Sequence, residues 1–353
     1  MATMSRTMAR LRRVAILAPS AILPILAIVV AAGLQAAPAR AESADGPRTE
    51  AQLEQVVAPI ALYPDALLSQ VLMASTYPLE VAEAARWSRD NSAVTGQALE
   101  DAMQEQSWDP SVKSLTAVPQ TLQMMNDKLE WTQQLGDAFL AQQQDVLDAI
   151  QRLRTRADAA GNLKTTEQQK VARVAAPPAP GSTAAPATVY TIEPATPDDY
   201  YVPVYDPGVV YGAWPYPDNA PFYWHPPGHV AGEALSFTAG VIAAAAIWGR
   251  VDWWQHRVNI NVARFNRFNH TKITKNAWVH DPAHRGNVPY RDRNVAARFS
   301  EQGRADASRS DPDKDAKTKP PETKRKAATR SKTTTATKQA RTKRTATTKK
   351  RRK

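Results

Sequence analysis

Between Pro119 and Ala160, apolar residues recur at intervals of three and four: Leu122, Met125, Leu129, Phe139, Val146, Ile150 and Leu153. That spacing lays one apolar stripe along an amphipathic helix, so the pattern predicts a single helix over the whole stretch. Pro119 suits a first helical position and Gly161-Asn162 supplies a stop. At about 1.5 Å per residue such a helix spans roughly 60 Å. Thr132, Gly136 and Gln143 fall on the same stripe and interrupt a strict coiled-coil seam, so the helix reads as the spine of a monomeric helical domain.

Upstream, residues 49–163 read as helices started by prolines. Thr49 with Gln52 has the form of a capping box, and Pro64, Pro78, Pro110 and Pro119 each follow a residue biased away from helix. Asp109-Pro110 adds an N-cap and a first-turn proline. Leu67, Leu68, Val71, Leu72, Leu79, Val81, Trp87, Leu99, Met103, Trp108 and Leu115 supply apolar area to cover the long helix. Leu62-Tyr63-Pro64 recurs loosely as Thr76-Tyr77-Pro78.

Periodicity disappears over 173–188, which reads as a proline- and alanine-rich linker and a domain boundary. Beyond it, 188–193, 199–205 and 209–212 are short β-branched and aromatic runs whose neighbouring prolines confine them to sheet edges. Residues 234–249 carry no charge and span about 24 Å at helical rise, short of the ~30 Å hydrocarbon core. Ser236, Gly240 and Ala244 form a small-residue face, and Tyr223, Trp224, Trp248, Trp253 and Trp254 flank the segment as interfacial aromatics do. The pattern allows two readings, a thinned or re-entrant membrane crossing and a buried core segment. Val258–Val262 alternates as a strand that continues into the basic, aromatic Arg264–Phe268.

The fold class that follows is mainly α: a multi-helix domain organised on one long helix, a small β/proline-aromatic module over 189–295, the apolar segment 234–249, and a disordered basic tail over 300–353. Charge sharpens this picture. The net charge of +11 is concentrated at the ends: residues 1–41 carry five arginines and no acid, and 301–353 carry 19 basic and 6 acidic residues, leaving 42–300 at −7. Residues 1–41 have a basic start, an apolar run from Val14 to Leu34 and a small-x-small pattern at Ala39 and Ala41, which predicts a secretory signal peptide, with an uncleaved anchor as the alternative. The absence of cysteine excludes disulfides, thiolate metal sites and cysteine nucleophiles.

Two histidine pairs at i and i+4 are the candidate chemistry: His225 with His229, and His280 with His284, the latter beside Asp281. Such spacing on a helix puts two imidazoles on one face, as a divalent metal site requires, although prolines lie within both pairs. The competing reading is turn histidines that hydrogen-bond to backbone. No His-Glu-x-x-His pattern, nucleophile elbow or phosphate-binding glycine loop occurs, and Glu80, Glu83, Asp101 and Glu105 have the spacing of solvated helix faces. These features point away from an enzyme and imply no cofactor beyond that metal.

The clearest binding feature is the tail, where 321–353 holds 14 basic residues against one acid. Lys324, Arg325, Lys326, Arg341, Lys343, Arg344, Lys349, Lys350, Arg351, Arg352 and Lys353 are its expected polyanion contacts. The expected partner is a membrane or an anionic envelope polymer, or a nucleic acid if the tail lies in the cytoplasm.

The stretches APIALYPDALLSQVLMASTYPLEVAEAARW at 58–87, SWDPSVKSLTAVPQTLQMMNDKLEWTQQLGDAFLAQQQDVLDAIQRLR at 107–154 and IEPATPDDYYVPVYDPGVVYGAWPYP at 192–217, with HDPAHRGNVPYRD at 280–292, closely resemble the bacterial family known as domain of unknown function 3300. The resemblance covers about residues 50–293 and stops short of the tail. It implies an exported, envelope-associated protein with a hydrophobic segment. It brings no assigned activity, so no catalytic residue is carried over. The reading that follows is a non-enzymatic cell-envelope protein, periplasmic or inner-membrane associated, that touches membrane or wall through its aromatic/apolar module and binds polyanions through its tail. A metal-dependent envelope enzyme and a nucleic-acid-binding protein are the alternatives.

Overall fold

The computed structural model describes residues 46–175, 188–224, 226, 234–243 and 245–300. The predicted signal peptide, most of the linker, His225, His229 and the whole set of tail contacts lie outside the described residues.

Proline and capping chemistry start the helices where the sequence places them. In α1 (Glu50–Val57) the Thr49 side chain accepts from the Gln52 amide and the Gln52 side chain returns the bond, a complete capping box. Pro64 precedes α2 (Asp65–Ala74), Pro78 opens α3 (Pro78–Asp90), and α4 spans Gly96–Gln104. Asp109 caps α5 (Pro110–Leu115) through the Ser111 amide.

The single long helix expected over 119–160 is three helices, α6 (Pro119–Asp127), α7 (Leu129–Ala141) and α8 (Gln143–Ala159). The breaks fall at Lys128 (φ −121, ψ 51) and Gln142 (φ −139, ψ 52). Neither site is a proline or glycine, and tertiary bonds stabilise each one. The Thr132 hydroxyl donates to the Met125 carbonyl (2.7 Å) across the first break. At the second, the Gln142 side-chain amide grips the Arg48 backbone, accepting from its N–H (2.6 Å) and donating to its carbonyl (3.2 Å). Three short helices then meet different neighbours: α6 packs on α3, α7 on α1, α2 and α3, and α8 on α1. Most of the predicted stripe is buried, while Leu129, beside the first break, is exposed. Gly136 interrupts the stripe because a Cβ there would stand 2.2 Å from the Ser75 carbonyl oxygen, a backbone-to-backbone approach only glycine permits.

After α8, β1 (Gln169–Ala175) pairs antiparallel with β2 (Thr188–Pro194), so Arg173–Ala175 and Thr188, expected in the linker, are strand residues. Two-residue strands follow, β3 (Asp199–Tyr200) pairing with β6 (Val241–Ile242) and β4 (Pro203–Val204) with β5 (Ser236–Phe237). The run expected as a third strand at 209–212 enters the short helix α9 (Pro207–Val210), capped by Asp206. β7 (Gly249–Asp252) pairs with β8 (Arg257–Ile260). The chain then turns into α10 (Val262–Phe268) instead of extending the strand, because Asn261 caps it and Phe265 and Phe268 are drawn into the core. α11 (Pro282–Arg285) and a helical segment over 293–300 complete the described fold.

The apolar segment 234–249 therefore forms short strands and a buried turn. Ala245, Ala246, Ile247 and Trp248 lie in the core, and Gly249 donates to the Gln70 side chain of α2 (3.2 Å). No helix among the described residues is long and apolar enough to cross a membrane.

Among the described residues, the expected helical domain and β/aromatic module share one hydrophobic core. Three buried polar junctions show why. The hydroxyls of Tyr205 and Tyr211 both donate to the Ala58 carbonyl (2.9 and 2.6 Å). The fully buried Arg154 of α8 donates to Ala61, Tyr63 and Tyr190 carbonyls and to Asp65, and stacks over Trp253 at 4.8 Å. The third junction carries the candidate histidines.

Candidate functional site

Asp281 fixes the local chain. Its Oδ1 accepts from the Ala283 amide (2.9 Å), Pro282 fills the first turn of α11, and Gly286 at φ +61 ends it. One short turn thus presents His284 and Arg285, with His280 just ahead of it. Opposite lies the turn between α2 and α3, where Thr76 and Tyr77 precede the helix-starting Pro78. Tyr77 is the centre of the junction: His280 stacks on it at 5.0 Å, His284 meets its edge at 6.0 Å, and its oxygen accepts from the Asp281 amide (3.0 Å).

His280 is 3% exposed. Its Nδ1 lies 3.1 Å from Thr76 Oγ1 and its Nε2 2.9 Å from the Tyr290 hydroxyl. The Thr76 hydroxyl hydrogen is directed to the Met73 carbonyl (2.7 Å), so the network assigns the imidazole proton to Nδ1 and makes Nε2 an acceptor from Tyr290. Burial, reinforced by Arg285 and Arg298, pushes its pKa down to about 3 and keeps it neutral. His284 behaves oppositely. Its Nδ1 is 2.8 Å from Glu80 Oε1, and that hydrogen bond raises its pKa against the effect of burial.

Glu80 and Glu83 are not the solvated pair their spacing suggests. Glu80 Oε2 accepts from the Asp109 amide (2.6 Å) and Glu83 Oε2 from the Trp108 indole (3.1 Å), so both brace the turn before α5. Asp101 and Glu105 are exposed, as expected. Asp109 is buried, and desolvation lifts its carboxyl to about 6 despite the Ser111 amide and hydroxyl that bond it. Arg285, also buried, donates to the Thr76, Val288 and Pro289 carbonyls and to Asp137 (2.6 Å), with its guanidinium 4.3 Å over the Tyr290 ring.

The structure gathers His280, Asp281 and His284 around Tyr77, but not around a point where a cation could sit. Among the described residues no group of three His, Asp or Glu side chains has a metal-binding arrangement. Both His280 nitrogens, His284 Nδ1 and Asp281 Oδ1 already hold protein partners. His284 with Glu80 is an oriented imidazole–carboxylate pair, the kind of unit that can move a proton. Of the hydroxyls close by, those of Thr76 and Ser111 are buried and donate within the protein, that of Tyr290 bonds His280, and that of Tyr77 accepts from the Asp281 amide. Chemically, the cluster is a clasp that fastens 280–290 to the α2–α3 turn.

Sequence reasoning did not find Thr76, Tyr77, Glu80, Asp109, Arg285 or Tyr290 as members of this cluster. The repeat of Leu62-Tyr63-Pro64 in Thr76-Tyr77-Pro78 was the available signal. Both tyrosines are buried immediately before a helix.

Comparison with known proteins agrees with the sequence motifs. The family model described as protein of unknown function (DUF3300) matches residues 49–286. Uncharacterized protein YacH of Escherichia coli (strain K12) is 42% identical over 309 residues, which cover 70% of this chain and 50% of that protein. The chain thus spans about half the length of the curated relative it matches. No solved structure matches it.

Proposed function

The chain belongs to the family of proteins of unknown function DUF3300, and from that premise we propose that it is an exported, non-enzymatic binding protein of the bacterial cell envelope, in which a compact acidic body carries a polycationic extension. The observation that carries this reading is the separation of charge. Residues 42–300 are net −7, whereas 321–353 hold 14 basic residues against one acid. A run of that density attracts anionic lipid surfaces and acidic envelope polymers by about 1 kcal/mol per Lys or Arg near the surface, and the attraction falls with salt. The clasp around Tyr77 supports the reading from the other side, since its titratable groups serve to join two parts of the chain. The apolar segment 234–249 acts within the body, so attachment is peripheral and runs through the extension.

Cell fractionation tests this. The mature chain is expected to sediment with envelopes at low salt and to be released by high salt or a carbonate wash. A mature chain found wholly in the soluble fraction at low salt, or one retained by membranes after carbonate, contradicts peripheral electrostatic attachment.

A further inference from the structure

Beyond α10 the chain runs back across the body from Lys272 to Val279. Asn266 pins its start, donating to the Ile273 carbonyl (2.9 Å) and accepting from its amide (2.8 Å). A single antiparallel bridge, Asn259 with Ala277, and the Ile260 amide on the Asn276 carbonyl (2.6 Å) fix the far end. Between this strap and α5 lies an open cleft of about 450 Å³, within the size range of small-molecule sites. Its walls are Ile260, Phe265, Ile273, Trp278 and Val279. Trp248 forms a buried wall, and its indole Nε1 has no hydrogen-bond partner among the described residues.

The exposed charges on this cleft are positive. Lys272 and Lys275 line it and are exposed. The one acid on its wall, Asp109, has its carboxylate directed onto the Ser111 amide and hydroxyl. The surrounding chain is basic as well: residues 245–300 hold ten Lys and Arg against three Asp, although the body as a whole is acidic. An apolar trough with two lysines on its rim is complementary to a molecule that is apolar along its length and anionic at one end. Val279, 68% exposed among the described residues, presents apolar surface on the trough wall.

We propose that this cleft binds a single-chain carboxylate amphiphile, a fatty-acid anion, with its alkyl chain along Ile260, Ile273, Trp278 and Val279 and its carboxylate at Lys272 and Lys275. The site is separate from the basic extension and is independent of the envelope reading. Nothing in the matched family description assigns it.

The test is calorimetric titration of dodecanoate, below its micelle concentration, into the full chain. One saturable site is expected. Lys272→Gln/Lys275→Gln is expected to weaken it about tenfold, because both lysines are exposed and two exposed charge pairs together contribute on that order. Val279→Asp, at a position too exposed to threaten the fold, is expected to abolish it. Dodecyl maltoside, with the same tail and a neutral head, is expected to bind about tenfold more weakly than dodecanoate, and acetate not at all. Absence of saturable dodecanoate binding overturns the proposal. So does binding that both variants leave unchanged, which assigns the ligand to another surface.

Discussion

Replacing Arg154 with Met removes a heavily bonded buried side chain without leaving a large hole. The guanidinium is fully buried, donates to three backbone carbonyls at 2.8 to 3.0 Å and pairs with Asp65 at 2.6 Å. Asp65 in turn accepts from the Trp253 indole (2.9 Å) and the Ile192 amide (3.3 Å), so one ion pair ties α2 and α8 to β2 and to the residue after β7. Removing one partner of such a pair strands the other charge and costs about 3–5 kcal/mol. That is a large part of the roughly 5–15 kcal/mol that stabilises an ordinary domain. Urea denaturation followed by tryptophan fluorescence and by far-ultraviolet circular dichroism measures it, as a lower midpoint at unchanged slope. The double variant Arg154→Met/Asp65→Asn is expected to be more stable than the sum of the single changes implies, by about 1–3 kcal/mol, because no buried charge is left alone. Both probes are expected to report one transition. A cost below about 1 kcal/mol, strict additivity, or a fluorescence transition separate from the loss of helix refutes the reasoning and restores two independent domains.

Three further outcomes follow from the clasp and the helix breaks. Between pH 6.5 and about 3 the unfolded chain protonates His280 while the folded chain does not, so this group withdraws stability as pH falls; Asp109, protonated in the folded state up to about 6, acts in the opposite sense between about 4 and 6. Asp109→Asn keeps the cap and removes the opposing titration, so urea midpoints from pH 4 to 6 are expected to fall more steeply on acidification, by up to about 1.4 kcal/mol per pH unit, and a shallower profile contradicts the assignment. Glu80→Gln is expected to lower the His284 pKa, read from its imidazole resonance by nuclear magnetic resonance, and an unchanged titration would show that Glu80 is not its main partner. Gly136→Ala is expected to destabilise by about 1–3 kcal/mol or more, since the new methyl group meets the Ser75 carbonyl; a neutral substitution in a thermal melt is incompatible with that helix approach.

What the sequence disclosed was whatever local chemistry decides. Thr49 with Gln52, Asp109 with Pro110, and prolines 78 and 119 start helices by rules confined to a few residues, and all four appear. The breaks at Lys128 and Gln142 were hidden because their causes are distant: Gln142 is held by Arg48, 94 residues away. Two-residue strands are too short to show a period, so 234–249 read equally as a membrane crossing or a buried core segment, and only the burial of Trp248 and its neighbours against α2 favours the second. The histidine pattern correctly marked a place where side chains converge. What it did not disclose is that Thr76, Tyr290 and Glu80, remote from it in sequence or unremarkable in pattern, bond both His280 ring nitrogens and Nδ1 of His284. Arg154 and Arg285 had no signal, since a buried arginine differs from a surface one only through partners the sequence does not place nearby.

The proposed function rests on the extension, and vesicle binding tests it most directly. A chain lacking residues 1–41 is compared with the same chain ending at Ser300, each mixed with vesicles of phosphatidylglycerol and phosphatidylcholine or of phosphatidylcholine alone. The account expects the longer chain to bind only the anionic vesicles, to release as salt contracts the Debye length from about 10 Å at 0.1 M to about 3 Å at 1 M, and to lose that binding on truncation. Equal binding by the chain ending at Ser300, or binding by the longer chain that salt leaves intact, contradicts it.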